Sequence, residues 1–250
     1  MQSSNKPDHL GKPWLPHYGW IVVLVGTLTI FACLGLARFA FGMLLPAMSE
    51  ALEMSYHEMG FLGTANFSGY LAAVAVVPLL LRRFSPRQLI ASGLGLIAIC
   101  MFGIAAGESY LLILFLYSCV GIGSGIANIP IMVLVSYWFR RDRRGGAAGL
   151  IVVGSGFAIM FSGFVIPILN EKFIASGWRV SWILLAVIVL LVAITAAFLI
   201  RNDPAEKGLS PVGHCMDLEY DPSTTKGSFT SIRILSHLGF LYFSFGATYV

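Results

Sequence analysis

Charge is what this 250-residue chain has least of: 11% of its residues are charged, where a globular chain carries about 25%. A soluble domain would have too little polar surface on that share. The twelve Asp and Glu lie in loops or at the ends of apolar runs, and none falls in the middle of one. A proton relay built on a buried carboxylate therefore has no candidate here. Cysteine is equally uninformative. Cys33, Cys100 and Cys119 sit inside apolar runs, Cys215 sits in a polar stretch, and no CxxC or His/Cys cluster occurs. A disulfide framework, a zinc site and a bound cofactor are not expected. The first residues, MQSSNKPDHLGKPWLPHY, lack the short apolar core of a secretory signal. The formal charge of +4 sits in short loops between apolar runs, which does not suggest a nucleic-acid partner.

Apolar sequence fills the rest: 57% of residues are hydrophobic and the mean hydropathy is +0.82. The stretch from Gly19 to Met48 is apolar almost throughout and carries one charge, Arg38. As a helix it would rise roughly 45 Å, against the ~30 Å of a bilayer core. Between Ile21 and Phe41 stand twelve Leu, Ile, Val and Phe residues. At about −0.3 to −0.6 kcal/mol each, they outweigh the roughly +2.5 to +3.5 kcal/mol of one central Arg. The span inserts with its cation, and an intramembrane charge points to function. Two readings of Arg38 stand: a cavity-facing anion-binding group, or a structural or snorkelling residue. Gly35 and Gly42, at i−3 and i+4, leave a notch beside it for a ligand or another helix.

Five more helical spans follow, at about Met59–Leu81, Leu89–Ala106, Tyr110–Phe139, Gly145–Leu169 and Trp178–Ile200. The fold expected is all-α and membrane-integral: a six-helix bundle over residues 18–201. A cytoplasmic tail (1–17) precedes it. A cytoplasmic loop (202–230) and the start of a seventh span (231–250) follow. Arg82, Arg83 and Arg87 mark a basic turn, and Arg140, Arg141, Arg143 and Arg144 a second. With Lys6 and Lys12 in the tail and Arg201, Lys207, Lys226 and Arg233 after the sixth span, thirteen cations fall on one side. Only Lys172 and Arg179 fall on the other. By the positive-inside rule the N-terminus and the 202–230 loop are cytoplasmic.

Polar residues inside the spans are few. Asn66 and Tyr70 share a face at i, i+4, and Tyr117, Gly121, Ser124 and Asn128 line another span. For Asn66 and Asn128 a cavity role and an interhelical hydrogen bond are equally open. Tyr70 and Tyr117 read as packing residues or ligand contacts. Ser155 and Ser162 are expected to bond their own helix backbone. A Gly149, Gly156, Gly163 stripe suggests close helix packing. GIGSGIANIP (121–130) is no phosphate loop, since it lacks the GK[ST] ending.

Six spans, basic turns after the second and fourth, and a long loop after the sixth resemble the N-terminal half of a major facilitator superfamily transporter. Leu81-Arg82-Arg83-Phe84-Ser85-Pro86-Arg87 stands where that family has Gly-x-x-x-Asp-Arg-x-Gly-Arg-Arg. Arg83 and Arg87 match. Pro78 replaces the first Gly, Ser85 the second, and Arg82 the Asp that latches the cytoplasmic gate in the family. WFRRDRRGGAAGL at 138–150 and GWR at 177–179 are similar to two further joins of the family. YGWIVV at 18–23 and RNDPAEKGLSPVG at 201–213 resemble the oxalate/formate and monocarboxylate porter branch. LARFAFGMLLPAM resembles a less characterised bacterial branch, and a bacterial inner membrane is the expected location.

In monocarboxylate porters a Lys of the first helix binds the substrate carboxylate, and Arg38 stands at that count from the Gly-Trp pair. The Gly-Pro motif of antiporters is not matched in the fifth span. The resemblance implies a chain that continues beyond Val250 into a second half, with substrate held between halves. It implies secondary transport of a small organic anion, a carboxylate, by alternating access. Arg38, Asn66, Tyr70, Tyr117 and Asn128 are its candidate substrate contacts, and Arg83 and Arg87 its gating turn. The partners expected are a small solute, the lipid bilayer and the C-terminal half. Efflux of hydrophobic compounds is the alternative. A non-transporting sensor or assembly protein would need an output domain, and an enzyme a cluster of catalytic groups that the spans do not offer.

Overall fold

The computed structural model of the protein describes residues 17–173 and 176–213. The expected tail up to residue 16, the loop beyond residue 213, Cys215, His237 and the seventh apolar run lie outside the described residues. Within them the chain is helical: α1 (Tyr18–Ile30), a π-helical segment (Phe31–Phe39), α2 (Phe41–Ala51), α3 (Tyr56–Leu80), α4 (Pro86–Ala106), α5 (Tyr110–Trp138), α6 (Arg141–Lys172) and α7 (Gly177–Leu199). A short 3-10 turn, Pro204–Lys207, follows. Six stretches are long and apolar enough to cross a membrane, the first being α1, the π segment and α2 together as Tyr18–Ala51.

Local chemistry sets the helix starts. Ser55 accepts from the Glu58 backbone while Glu58 reaches back to Ser55, a reciprocal cap that starts α3 three residues before the expected Met59. Ser85 and Gln88 do the same for α4, with Pro86 in its first turn. The second basic stretch departs further from expectation. It is not a turn: Arg141, Arg143 and Arg144 form the first turn of α6. Arg favours helix, and Asp142 in that first turn complements the positive end of the helix dipole.

α5 is the spine. α3 and α4 each lie along it, α4 packs also on α7, and the first span packs chiefly on α6. Small residues permit these approaches. A Cβ on Gly121 would strike the Asn66 backbone, and one on Gly123 would stand 2.8 Å from the Gly93 carbonyl. The first span meets α6 through Gly154, seated on the Thr27 carbonyl, and Ala158, seated on Gly35. The expected stripe of Gly149, Gly156 and Gly163 is not this contact. Among the described residues, a Cβ on Gly149 or Gly156 would meet nothing within 4 Å, and one on Gly163 would meet the end of Met43. The crossing uses a small-xxx-small pair, Gly154 and Ala158, one turn apart.

Side chains then tie one end of the bundle. Tyr18 Oη donates to the Leu199 carbonyl at 2.7 Å, and Trp138 Nε1 to the Arg201 carbonyl at 3.0 Å. Val212 pairs with the α5–α6 junction through Trp138 and Arg140. The start of α1, the α3–α4 turn, the α5–α6 junction and the segment after α7 therefore gather at one end, where the arginines concentrate.

Candidate functional site

The π segment decides where Arg38 stands. Its backbone closes wider turns, as in the Ala40 N–H bonded to the Gly35 carbonyl at 3.0 Å. In a wider turn, residues three apart, as Gly35 and Arg38 are, no longer share one face. Gly35 and Gly42 consequently part company. The Gly35 side of the expected notch is filled by Ala158 of α6, while Gly42 faces open space.

Arg38 is half-buried, and its guanidinium carbon lies 3.7 Å from the centroid of the Phe67 ring and 4.9 Å from that of Tyr70. Both rings come from α3, at i and i+3, so one helical face presents both. Their π faces attract the cation, an interaction strengthened where water is scarce. Arg38 Nε is buried and has no hydrogen-bond partner among the described residues. No carboxylate among them pairs with it. The cation is thus held by rings, which accept no directed N–H bond of the carboxylate kind, and its fork keeps its donors.

The other candidate residues divide into two groups. Asn128 of α5 donates from Nδ2 to the Tyr70 hydroxyl at 2.8 Å, fixing the ring that stacks on Arg38. Arg38, Phe67, Tyr70 and Asn128 therefore form one chain of contacts across the first span, α3 and α5. Asn66 and Tyr117 lie beneath it. Asn66 is buried and donates to the Tyr117 carbonyl at 3.0 Å, an α3–α5 bond. The Tyr117 ring is buried 4.3 Å from Phe41 and 6.2 Å from Trp182, and its hydroxyl makes a long 3.5 Å contact with the Arg38 carbonyl. Ser124 Oγ reaches across to the Cys33 carbonyl at 2.8 Å. Ser155 and Ser162 bond the carbonyls of Val152 and Ala158 in their own helix.

Phe67 is the residue that sequence reasoning passed over. Its signal was present: an aromatic three residues before Tyr70 on the span's polar face. Of the turn residues, Arg83 is exposed. Arg87 is engaged: its backbone N–H meets Asn202 Oδ1 at 3.0 Å, and its Nε donates to the Ala197 carbonyl at 2.7 Å.

Six apolar stretches of the described residues, the first carrying a cation stacked on aromatic rings, define a polytopic membrane protein. The profile of the Major Facilitator Superfamily matches residues 27–250, and the chain belongs to that family as an N-terminal half. It is an integral membrane protein. It is 24% identical over 197 residues to a phosphoglycerate transporter protein of Salmonella typhimurium, covering 77% of this chain and 42% of that protein. It is 27% identical over 192 residues to the agnestins efflux protein AgnL12 of Paecilomyces divaricatus, covering 74% of this chain and 42% of that one. The chain therefore spans under half the length of these relatives.

Among solved structures, a bacterial homologue of the human lysosomal transporter Spinster, inward-facing and unoccupied, superposes with a TM-score of 0.68 at 18% identity. That superposition covers 84% of this chain and 47% of the homologue. The proton:xylose symporter XylE, bound to 6-bromo-6-deoxy-D-glucose, gives 0.62 at 16% identity over 76% of this chain and 47% of its own. These likenesses establish the fold.

Proposed function

We propose that the chain is the N-terminal half of a secondary transporter for a small organic anion, with Arg38 as the group that binds the anion. The observation that carries the reading is the state of Arg38: half-buried in a membrane span, stacked on Phe67 and Tyr70, with no carboxylate partner among the described residues. A guanidinium kept in an apolar span at a cost, and not neutralised there, is available to an anion that arrives and leaves. Its planar fork suits a carboxylate by two parallel N–H···O bonds. The stacked rings hold the plane of the fork while leaving its edge for the ligand.

A relative named for phosphoglycerate, which carries a carboxylate and a phosphate, supports an anionic substrate. Alternating access then moves the C-terminal half against this one around the bound anion. Tyr70 and Asn128 position the cation, while Asn66 and Tyr117 hold the helices beneath it.

Uptake into proteoliposomes containing the complete transporter tests the reading. A panel of small carboxylates and phosphorylated carboxylates is offered to wild type, R38K and R38A. Uptake of at least one anion should be partial in R38K and absent in R38A. Uptake of apolar compounds alone, unchanged in R38A, would leave efflux of hydrophobic compounds as the better account, in line with the agnestins relative.

A further inference from the structure

We infer that the cleft between α3 and α4 binds one anionic phospholipid, an acyl chain lying in the cleft and the phosphate meeting Arg82 and Arg83. The site shares no lining residue with the Arg38 cluster and does not depend on the transport reading. Its origin is the packing on α5. Gly121 lets α3 sink onto α5, and Gly93 and Gly123 let α4 do so. The two helices share this floor but hardly touch one another beyond the turn that joins them.

The result is a groove in two parts. The part nearer the turn has a volume of about 500 Å³ and is lined by Leu80, Phe84, Gln88, Leu89, Ser92 and Ile126. The inner part adds about 140 Å³ and is lined by Ala72, Ala73, Val76, Leu80, Ile122 and Ile126. Leu80 and Ile126 belong to both, so the groove is continuous. Its α3 wall, Ala72, Val76 and Leu80, steps by one helical turn each time. From Ala72 to Leu80 the helix rises about 12 Å, most of the ~15 Å depth of one leaflet. A soluble metabolite has no use for an apolar slot of that length; an acyl chain fills it.

Charge completes the match at the mouth. Arg82 and Arg83 are exposed on the turn that closes the groove, next to half-exposed Phe84. Neither side chain bonds the bundle among the described residues, in contrast to Arg87. The position that carries an Asp in the resembled family motif is Arg82 here, so the mouth gains a cation where an acid would repel a phosphate. Two arginines at a membrane surface favour an anionic over a zwitterionic lipid by roughly thirty-fold.

The test uses the complete protein purified in detergent. Native mass spectrometry counts retained lipid, and thermal unfolding is followed with added phosphatidylglycerol, phosphatidylcholine or glycerol 1-phosphate. Phosphatidylglycerol should be retained one per chain and raise the melting temperature, phosphatidylcholine should do so far less, and glycerol 1-phosphate should have no effect. R82Q/R83Q should lose the preference between the two lipids. V76F, which fills the groove and keeps the arginines, should lose retention of both. Stabilisation by glycerol 1-phosphate equal to that by the lipid would mean a phosphate site and not a lipid groove. Equal retention of the two lipids by wild type, or an undiminished preference in R82Q/R83Q, would overturn the inference. So would undiminished retention in V76F.

Discussion

Arg87 and Arg38 sit in the same bundle and are used in opposite ways. Arg87, at the end where the basic residues gather, gives its Nε to the Ala197 carbonyl and its backbone N–H to Asn202, joining the start of α4 to the end of α7. Arg179, at the other end, gives Nη1 to the Ala105 carbonyl at 2.8 Å and stacks on Trp178 at 4.5 Å. Both close helix ends, where orphan carbonyls need donors and cations are favoured by the dipole. Arg38 is in mid-span, where neighbouring carbonyls are already paired, and it meets aromatic faces instead. An arginine whose donors are taken by backbone is part of the scaffold. Arg38 is held by rings and makes no such bond among the described residues.

The sharpest way to break this contrast is to remove each cation in turn. R38A should cut anion transport by at least about thirty-fold, the scale of losing one partner of a desolvated charge pair, while insertion and expression stay normal. Uptake assays beside membrane-fraction immunoblots would show it. R87M should do the reverse. It frees a carbonyl at the end of α7 and should cost about 1.5–3 kcal/mol of stability, with affinity for the anion unchanged. Chemical denaturation in detergent, with and without substrate, separates the two terms.

Smaller changes sharpen the picture around Arg38. Y70F keeps the ring under the guanidinium but removes the acceptor of the Asn128 bond. A loss of about 0.5–1.5 kcal/mol is expected, shared between stability and anion binding, and less than the effect of R38A. Calorimetric titration of both variants ranks them. At the low end, R82K/R83K retains both charges on an exposed turn and should transport at close to the wild-type rate, measured as initial uptake.

How much of this could be read from the chain depends on the length scale of the signal. The six spans are long apolar runs, and the pattern alone locates them to within a few residues. Arg38 is also legible, because one charge among twelve large apolar residues stands out. The π segment is not. Nothing in Phe31-Ala32-Cys33-Leu34-Gly35-Leu36-Ala37-Arg38-Phe39 breaks a helix, and the wider turn shows only in the folded chain, where Gly35 seats on Ala158 of α6. That is why another helix takes one side of the expected notch and leaves the other open: regular spacing puts Gly35 and Gly42 on one face, while Gly35 meets Ala158 of α6 and Gly42 meets nothing among the described residues.

The Gly149, Gly156, Gly163 stripe makes no close helix crossing among the described residues for a related reason. Spacing shows which small residues could meet a neighbour, while the crossing point selects Gly154 and Ala158. Charge usually marks a loop, so the sequence of 140–144 suggests a turn, yet Arg is a good helix former and extends α6. Asn66 and Tyr70 share a helix face in sequence, but only the placement of α5 sends Asn66 to a carbonyl and Tyr70 to the cation.

Ligand-induced thermal stabilisation tests most directly whether Arg38 is the anion-binding group. The complete transporter and R38A are melted in detergent across a panel of small carboxylates, each well above its dissociation constant. At least one carboxylate should raise the melting temperature of wild type, none should do so for R38A, and the two proteins should melt alike without ligand. If R38A is stabilised by the same carboxylates to the same extent as wild type, Arg38 is not the anion site.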